Sequence, residues 1–128
     1  MKTIRQSYWM KATPQQVFKA LTDPKTIQKW SGAPAEMNAS PGGFFSMMGG
    51  QIHGTNVEIV RNKKLVQDWT AGNWPEASRV TFTLAPTPKG TRVNLLHEGV
   101  PNAAFKSIDK GWDASYLGVM RRVFAAKR

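Results

Sequence analysis

Between residues 36 and 98 the sequence falls into six short alternating segments: 36–40, 44–48, 52–61, 65–71, 79–85 and 91–98. Turn and loop signals close them: Ser40-Pro41-Gly42-Gly43, Gly49-Gly50, Asn62-Lys63-Lys64, Asn73-Trp74-Pro75, Pro86-Thr87-Pro88-Lys89-Gly90 and Gly99-Val100-Pro101. Alternation with period two buries one face of a strand, and links this short join strands antiparallel. The period then changes. Trp112, Tyr116, Val119, Met120, Val123 and Phe124 recur at helical spacing. A helix over 109–126 would run about 27 Å at 1.5 Å per residue. Its start can lie as far upstream as Asn102, and Gly111 and Gly118 weaken it. A sheet with one apolar face and a helix with one apolar stripe bury against each other.

The chain opens on another alternating stretch, 2–11, with Ile4, Gln6, Tyr8 and Met10 on one face and Arg5, Ser7, Trp9 and Lys11 on the other. Thr13-Pro14-Gln15-Gln16 then reads as a helix start, with Thr13 as N-cap, Pro14 at the first helical position and Gln16 closing a capping box. Val17, Phe18 and Leu21 form the stripe. Asp23-Pro24 repeats the device for a second short helix ending near Trp30, with Ile27 inward. The predicted class is α+β: a curved antiparallel sheet of about seven strands, two short helices and one long C-terminal helix. A sheet gripping one helix leaves space between them, where a ligand would sit.

At 128 residues, 41% hydrophobic, the chain is expected to be one domain spanning residues 1–128. There is no cysteine, which excludes disulfides, thiolate nucleophiles and cysteine-based metal sites. The apolar runs are too short for a transmembrane segment, and residues 1–11 carry Lys2, Arg5 and Lys11 without the apolar core of a secretory signal. A soluble cytoplasmic protein is expected. The net charge is +10, with groups at Arg61, Lys63 and Lys64 and at Arg121, Arg122, Lys127 and Arg128. A C-terminal basic group suits the negative end of a helix dipole. No nucleic-acid motif accompanies the charge, so no nucleic-acid partner is expected; an acidic protein partner remains open.

Together these stretches resemble a known family. Ala12-Thr13-Pro14 with Val17-Phe18, Ala20-Leu21-Thr22-Asp23-Pro24, Ile27, Trp30, Pro41-Gly42-Gly43 with Phe45, Val57-Glu58-Ile59, Leu65 with Trp69, Gly90-Thr91, His97 to Pro101 and Gly111-Trp112 appear in order over nearly the whole chain. The chain is similar to START-like, Bet v 1-like (SRPBCC) proteins. Among them it resembles homologues of the C-terminal domain of the Hsp90 ATPase activator. The resemblance implies the helix-grip fold with an apolar cavity between sheet and helix. It leaves function wide, from carriers and receptors to cyclases and co-chaperone domains.

The candidate cavity residues are Trp30, Phe45, Met47, Gln67, Trp69, Phe82, Leu95, His97, Trp112, Tyr116 and Met120. Trp69 shares a strand face with Leu65 and Gln67, and Phe45 with Met47; family analogy points these faces at the long helix. Trp74 joins the aromatic set, and Met37 and Met48 add adaptable side chains. Lining of a ligand cavity and a filled core are both open for each residue. His97 follows Val93 and Leu95 inward and titrates near the physiological range when free, which suits a proton donor or acceptor; the plainer reading bonds it to a backbone carbonyl or water. His53 could share its cavity, but three strand spacings of about 4.8 Å hold the two roughly 14 Å apart, too far for one metal ion. No metal and no cofactor are expected. Gln67 needs a partner, from a neighbouring side chain, water or ligand. Asp109 and Asp113 suit the start of the last helix as dipole-favourable caps. Glu58 is expected to point outward, away from Val57 and Ile59.

The first functional reading is a carrier or sensor binding a hydrophobic small molecule (lipid, aromatic or polyketide-like) in the internal cavity, more a binding protein than an enzyme. The alternatives are a cyclase, dehydratase or hydrolase, with His97 as acid–base and Gln67 or Tyr116 orienting substrate, and a chaperone-related interaction module.

Overall fold

Local signals shape the N-terminal third. A computed structural model describes residues 1–126; Lys127 and Arg128, of the C-terminal basic group, lie outside the described residues. Strand β1 (Lys2–Met10) buries Ile4, Tyr8 and Met10. Helix α1 (Pro14–Thr22) begins with the expected capping box: Gln16 N–H donates to Thr13 Oγ1 at 3.1 Å, and Thr13 N–H to Gln16 Oε1 at 2.9 Å. Helix α2 (Pro24–Ser31) starts at Asp23, whose Oδ2 accepts from Thr26 N at 2.9 Å and Thr26 Oγ1 at 2.6 Å. Those bonds favour the ionised carboxyl and hold Asp23 below the usual carboxylate range. Trp30 then folds back, donating from Nε1 to the Ala20 carbonyl at 2.8 Å and tying α2 to α1.

The meander follows as β2 (Glu36–Met37), β3 (Phe44–Met47), β4 (Ile52–Val60), β5 (Lys64–Ala71), β6 (Ser78–Thr87) and β7 (Gly90–Val100). All neighbours pair antiparallel, and β1 closes onto β7, giving the order β1-β7-β6-β5-β4-β3-β2. Two details depart from plain alternation. Strand β2 ends at Met37, not residue 40, because Asn38 and Ser40 turn the chain: Ser40 N–H bonds the Asn38 carbonyl and Ser40 Oγ the Asn38 Oδ1. In β4 the register slips between Asn56 and Glu58. The bulge leaves Val57 exposed beside Glu58, while Ile59, opposite Leu65, returns to the packed face. Val57 and Ile59 therefore do not share a face.

The C-terminal helix begins at the upstream limit. A 3₁₀ turn at Asn102–Ala104 leads into α3 (Phe105–Gly111), a π-helical turn (Trp112–Tyr116) and α4 (Leu117–Ala126). Asp109 and Asp113 consequently stand inside the helix and are not its N-terminal caps. Gln6 Nε2 donates to the Asp109 carbonyl and Oδ1 at 3.0 and 2.9 Å, pinning the helix to β1. Asp113 pairs with Arg121 at 3.4 Å.

The π turn explains Gly118. A Cβ there would run into the Asp113 carbonyl oxygen. Gly118→Ala is accordingly expected to lose about 1–3 kcal/mol by overpacking, although alanine is the better helix former. Urea unfolding measures this, and an unchanged or raised midpoint at constant slope would refute it. The core lies between the inner sheet face and the helices, with Leu21, Ile27, Phe45, Phe82, Leu117 and Met120 almost wholly buried.

Candidate functional site

The inner faces of β5, β6 and β7 bring an aromatic and polar set together under the π turn. Pairing sets Trp69 opposite Ser78 and Val80 opposite His97. Trp112 descends from the helix: its ring stacks on Trp69 at 5.5 Å and meets Phe82 and His97 edge-on at 5.7 and 5.6 Å. Tyr116 lies 4.7 Å from Trp112 and 5.0 Å from Trp30, and donates to Met47 Sδ at 3.5 Å. Burial raises the Tyr116 hydroxyl pKa, so the group stays neutral.

His97 is fully buried among these rings. Trp112 Nε1 lies 3.1 Å from its Nδ1. An indole N–H only donates, so Nδ1 accepts and the imidazole proton sits on Nε2. That proton meets Ser78 Oγ at 2.8 Å, and the Ser78 hydroxyl donates onward to the Trp69 carbonyl at 2.6 Å. The chain of bonds has one consistent direction and uses both ring nitrogens. Burial lowers the His97 pKa to about 4, holding the ring neutral. Its partners are thus an indole and a serine, not a backbone carbonyl or water. His53 does not join it: opposite Thr70 in β4, it alternates to the other face of the sheet from Gly54 and Trp69.

A cleft of about 320 Å³ opens where the ends of β4 and β5 meet the helix. Trp69, Trp112 and Tyr116 are its buried floor; Ile52, Ala71, Met48 and Ile108 are its apolar walls; Gln51, Gly72 and Ser115 form an exposed rim. Three of the expected cavity residues line it. Trp30, Phe45, Met47 and Phe82 are buried in the core, as are Leu95, His97 and Met120, and none lines the cleft. Gln67 is buried too; its Nε2 donates to Asn56 Oδ1 at 3.0 Å, and its Oε1 has no partner among the described residues. Larger hollows of 410 to 500 Å³ elsewhere have more polar linings, such as Arg5, Ser7, Thr81, Thr83 and Asn94 on the outer sheet face.

Sequence reasoning missed Ser78 and Asn56. Ser78 had a signal: it continues the inward alternation of Val80, Phe82 and Leu84, and an inward hydroxyl needs a partner. Asn56 had none, because the bulge sets its facing. The rim and walls come from four separate segments and carry no motif.

A curved antiparallel sheet closed on one long helix, with an apolar cleft between them, defines a START-like helix-grip protein. The comparisons narrow this. The chain belongs to the family described as Activator of Hsp90 ATPase homolog 1-like protein, which it matches over residues 11–125. It is 34% identical over 107 residues to the mouse activator of 90 kDa heat shock protein ATPase homolog 2, covering 82% of this chain and 32% of that protein. To the human homolog 1 it is 28% identical over 114 residues, 88% of this chain and 34% of the relative. The chain thus spans about a third of the length of these curated relatives. Among solved structures, an HSP90 activator from Plasmodium falciparum superposes with a TM-score of 0.90 at 26% identity, covering 98% of this chain and 97% of that one. The Aha1 dimer from Colwellia psychrerythraea, at 21% identity and a TM-score of 0.83 over 98% of each chain, shares the fold.

Proposed function

We propose that this protein binds a small apolar molecule in the cleft between β4, β5 and the C-terminal helix, as a carrier or sensor. The observation that carries the reading is Gly111. It is helical (φ −62°, ψ −32°), it lines the cleft, and a Cβ there would meet nothing within 4 Å. Glycine inside a helix costs about 1 kcal/mol relative to alanine. Here the missing side chain leaves the cleft open. A volume of about 320 Å³ stands at the low end of the roughly 300–1,000 Å³ typical of ligand pockets, which favours ring-sized or short-chain molecules over sterols.

Two substitutions at Gly111 separate binding from folding. Gly111→Ala is expected to raise stability by about 1 kcal/mol. Gly111→Phe is expected to fill the cleft and abolish binding while the fold persists. Amide NMR titration of both variants against fatty acids, flavonoids and aromatic polyketides provides the check. Equal binding by wild type and Gly111→Phe would overturn the assignment. An enzymatic reading through His97 lacks support, because both its nitrogens are engaged and it stands outside the cleft wall.

A second reading is favoured by the relatives, which are named as activators of Hsp90-type ATPases. In that reading the net charge of +10, with Lys19, Lys25, Lys29, Arg61 and Lys63 exposed, meets an acidic surface of an Hsp90-type chaperone. Binding to purified Hsp90 is then expected to weaken steeply between 50 and 300 mM salt. Salt-independent binding would count against this charge-led contact.

A further inference from the structure

One end of the sheet collects positive charge. The registers bring the ends of five strands together there: Trp9 stands opposite Arg92, Arg92 opposite Ala85, Thr83 opposite Lys64 and Lys64 opposite Val60. Lys11 follows β1, Arg61 and Lys63 turn β4 into β5, and Lys89 turns β6 into β7. Leu84 N–H donates to the Lys63 carbonyl at 2.8 Å, which holds the β4–β5 turn against β6. Five strands about 4.8 Å apart make this end about 19 Å wide. Its turns and adjoining strand ends hold one carboxylate, Glu58, which pairs with Lys64 at 3.3 Å. Lys11, Arg61, Lys63, Lys89 and Arg92 are exposed and have no ion-pair partner among the described residues.

Apolar surface lies among these charges. Trp9 is 41% exposed and Val60 40%, and Pro86 and Pro88 are exposed on the β6–β7 turn. The Trp9 indole N–H already donates to Thr87 Oγ1 at 3.2 Å, and Gly90 approaches so closely that a Cβ there would touch the ring. The ring is therefore held in place with its polar edge satisfied. An exposed indole among lysines and arginines suits the headgroup level of a bilayer, and cations without matching acids suit an anionic leaflet. The cleft lies at the other end of the sheet, where Ile52 pairs with Ala71.

We propose that this basic end docks reversibly on an anionic lipid surface, with Trp9 seated among the headgroups and the cleft left open to solvent. The proposal is independent of the cleft-binding reading.

Sedimentation of the full chain with phosphatidylcholine vesicles, with and without about 30% phosphatidylserine, provides the test. Binding is expected only with phosphatidylserine and is expected to weaken steeply as salt rises. The double variant Lys63→Gln/Lys89→Gln is expected to bind about twentyfold more weakly. Lys106→Gln/Lys110→Gln removes the same charge from α3 at the cleft end and is expected to change binding less than about twofold. Acyl-brominated lipid in the anionic vesicles is expected to quench wild-type tryptophan fluorescence and to leave Trp9→Phe unquenched. Binding to neither vesicle, equal binding to both, or equal losses in the two double variants would overturn the proposal. So would failure of anionic vesicles to bind while single-stranded RNA or purified Hsp90 binds through Lys63 and Lys89. All five side chains are exposed, so the variants keep the core intact.

Discussion

Acidification from pH 7 to pH 4 is expected to remove about 3 kcal/mol of stability through one residue, His97. The folded ring is held near a pKa of about 4 by burial, against 6.5 for the free side chain. Across that window the unfolded chain binds a proton that the folded chain refuses. The stabilisation is therefore complete above pH 6.5, declines as pH falls, and is gone near pH 4. Geometry gives the same sign. A proton on Nδ1 would face the Trp112 indole N–H, so the two donors would oppose each other at 3.1 Å. The packed surroundings are Trp69, Trp74 and Trp112, and burial among them is what lowers the pKa. Urea unfolding at steps from pH 7 to pH 4 measures the slope. His97→Gln keeps an acceptor for Trp112 and a donor for Ser78 but does not titrate. It is expected to be less stable at pH 7 and nearly flat between pH 6.5 and 4.5. Parallel profiles for the two proteins would sink the assignment.

Trp112→Ala is expected to be the most damaging substitution of a single side chain. Trp112 is 2% exposed and joins helix to sheet through rings on both. It touches Trp69, Phe82, His97 and Tyr116, and its indole N–H is the donor that fixes the His97 tautomer. Large-to-small changes at buried tryptophan cost about 3–5 kcal/mol. At roughly 2.1 cal/mol/K per residue, a loss of 4 kcal/mol lowers Tm by about 15 °C in a chain this long. A second consequence separates this network from plain packing. With Nδ1 released and water admitted, the His97 pKa is expected to rise toward its ordinary value, flattening the pH dependence described above. Calorimetry gives the first effect, and ¹H–¹⁵N titration of the imidazole gives the second. A Tm drop of a few degrees with His97 still titrating near 4 would show that Trp112 anchors neither the helix nor the histidine.

The pairing of helix starts with the sequence is close because capping is local. Thr13 and Gln16 are three residues apart, as are Asp23 and Thr26, and no distant contact decides them. The facing of β1, β5, β6 and β7 follows in the same way from period two, and the helical stripe of Tyr116, Met120 and Phe124 from period 3.6. Such patterns place Trp69, His97 and Trp112 inside. They do not say which inward residue borders a void.

That distinction needs three dimensions. His97 and Trp112 both face inward, yet only Trp112 lines the cleft, because Ser78 and three tryptophans enclose the imidazole. The bulge at Val57 and the π turn before Gly118 each insert a local irregularity that shifts the following residues, and neither has a periodic signature.

Alternation, turn chemistry and helical spacing were enough to determine an antiparallel sheet capped by one helix, because each depends on neighbours within about five residues. Tertiary structure alone decided that β1 closes on β7, that Gln6 grips Asp109 across 103 positions, and that Trp112 meets His97 and Trp69. It also decided where the cleft opens. A void is the difference between surfaces contributed by segments far apart in the chain, and no local pattern encodes that difference.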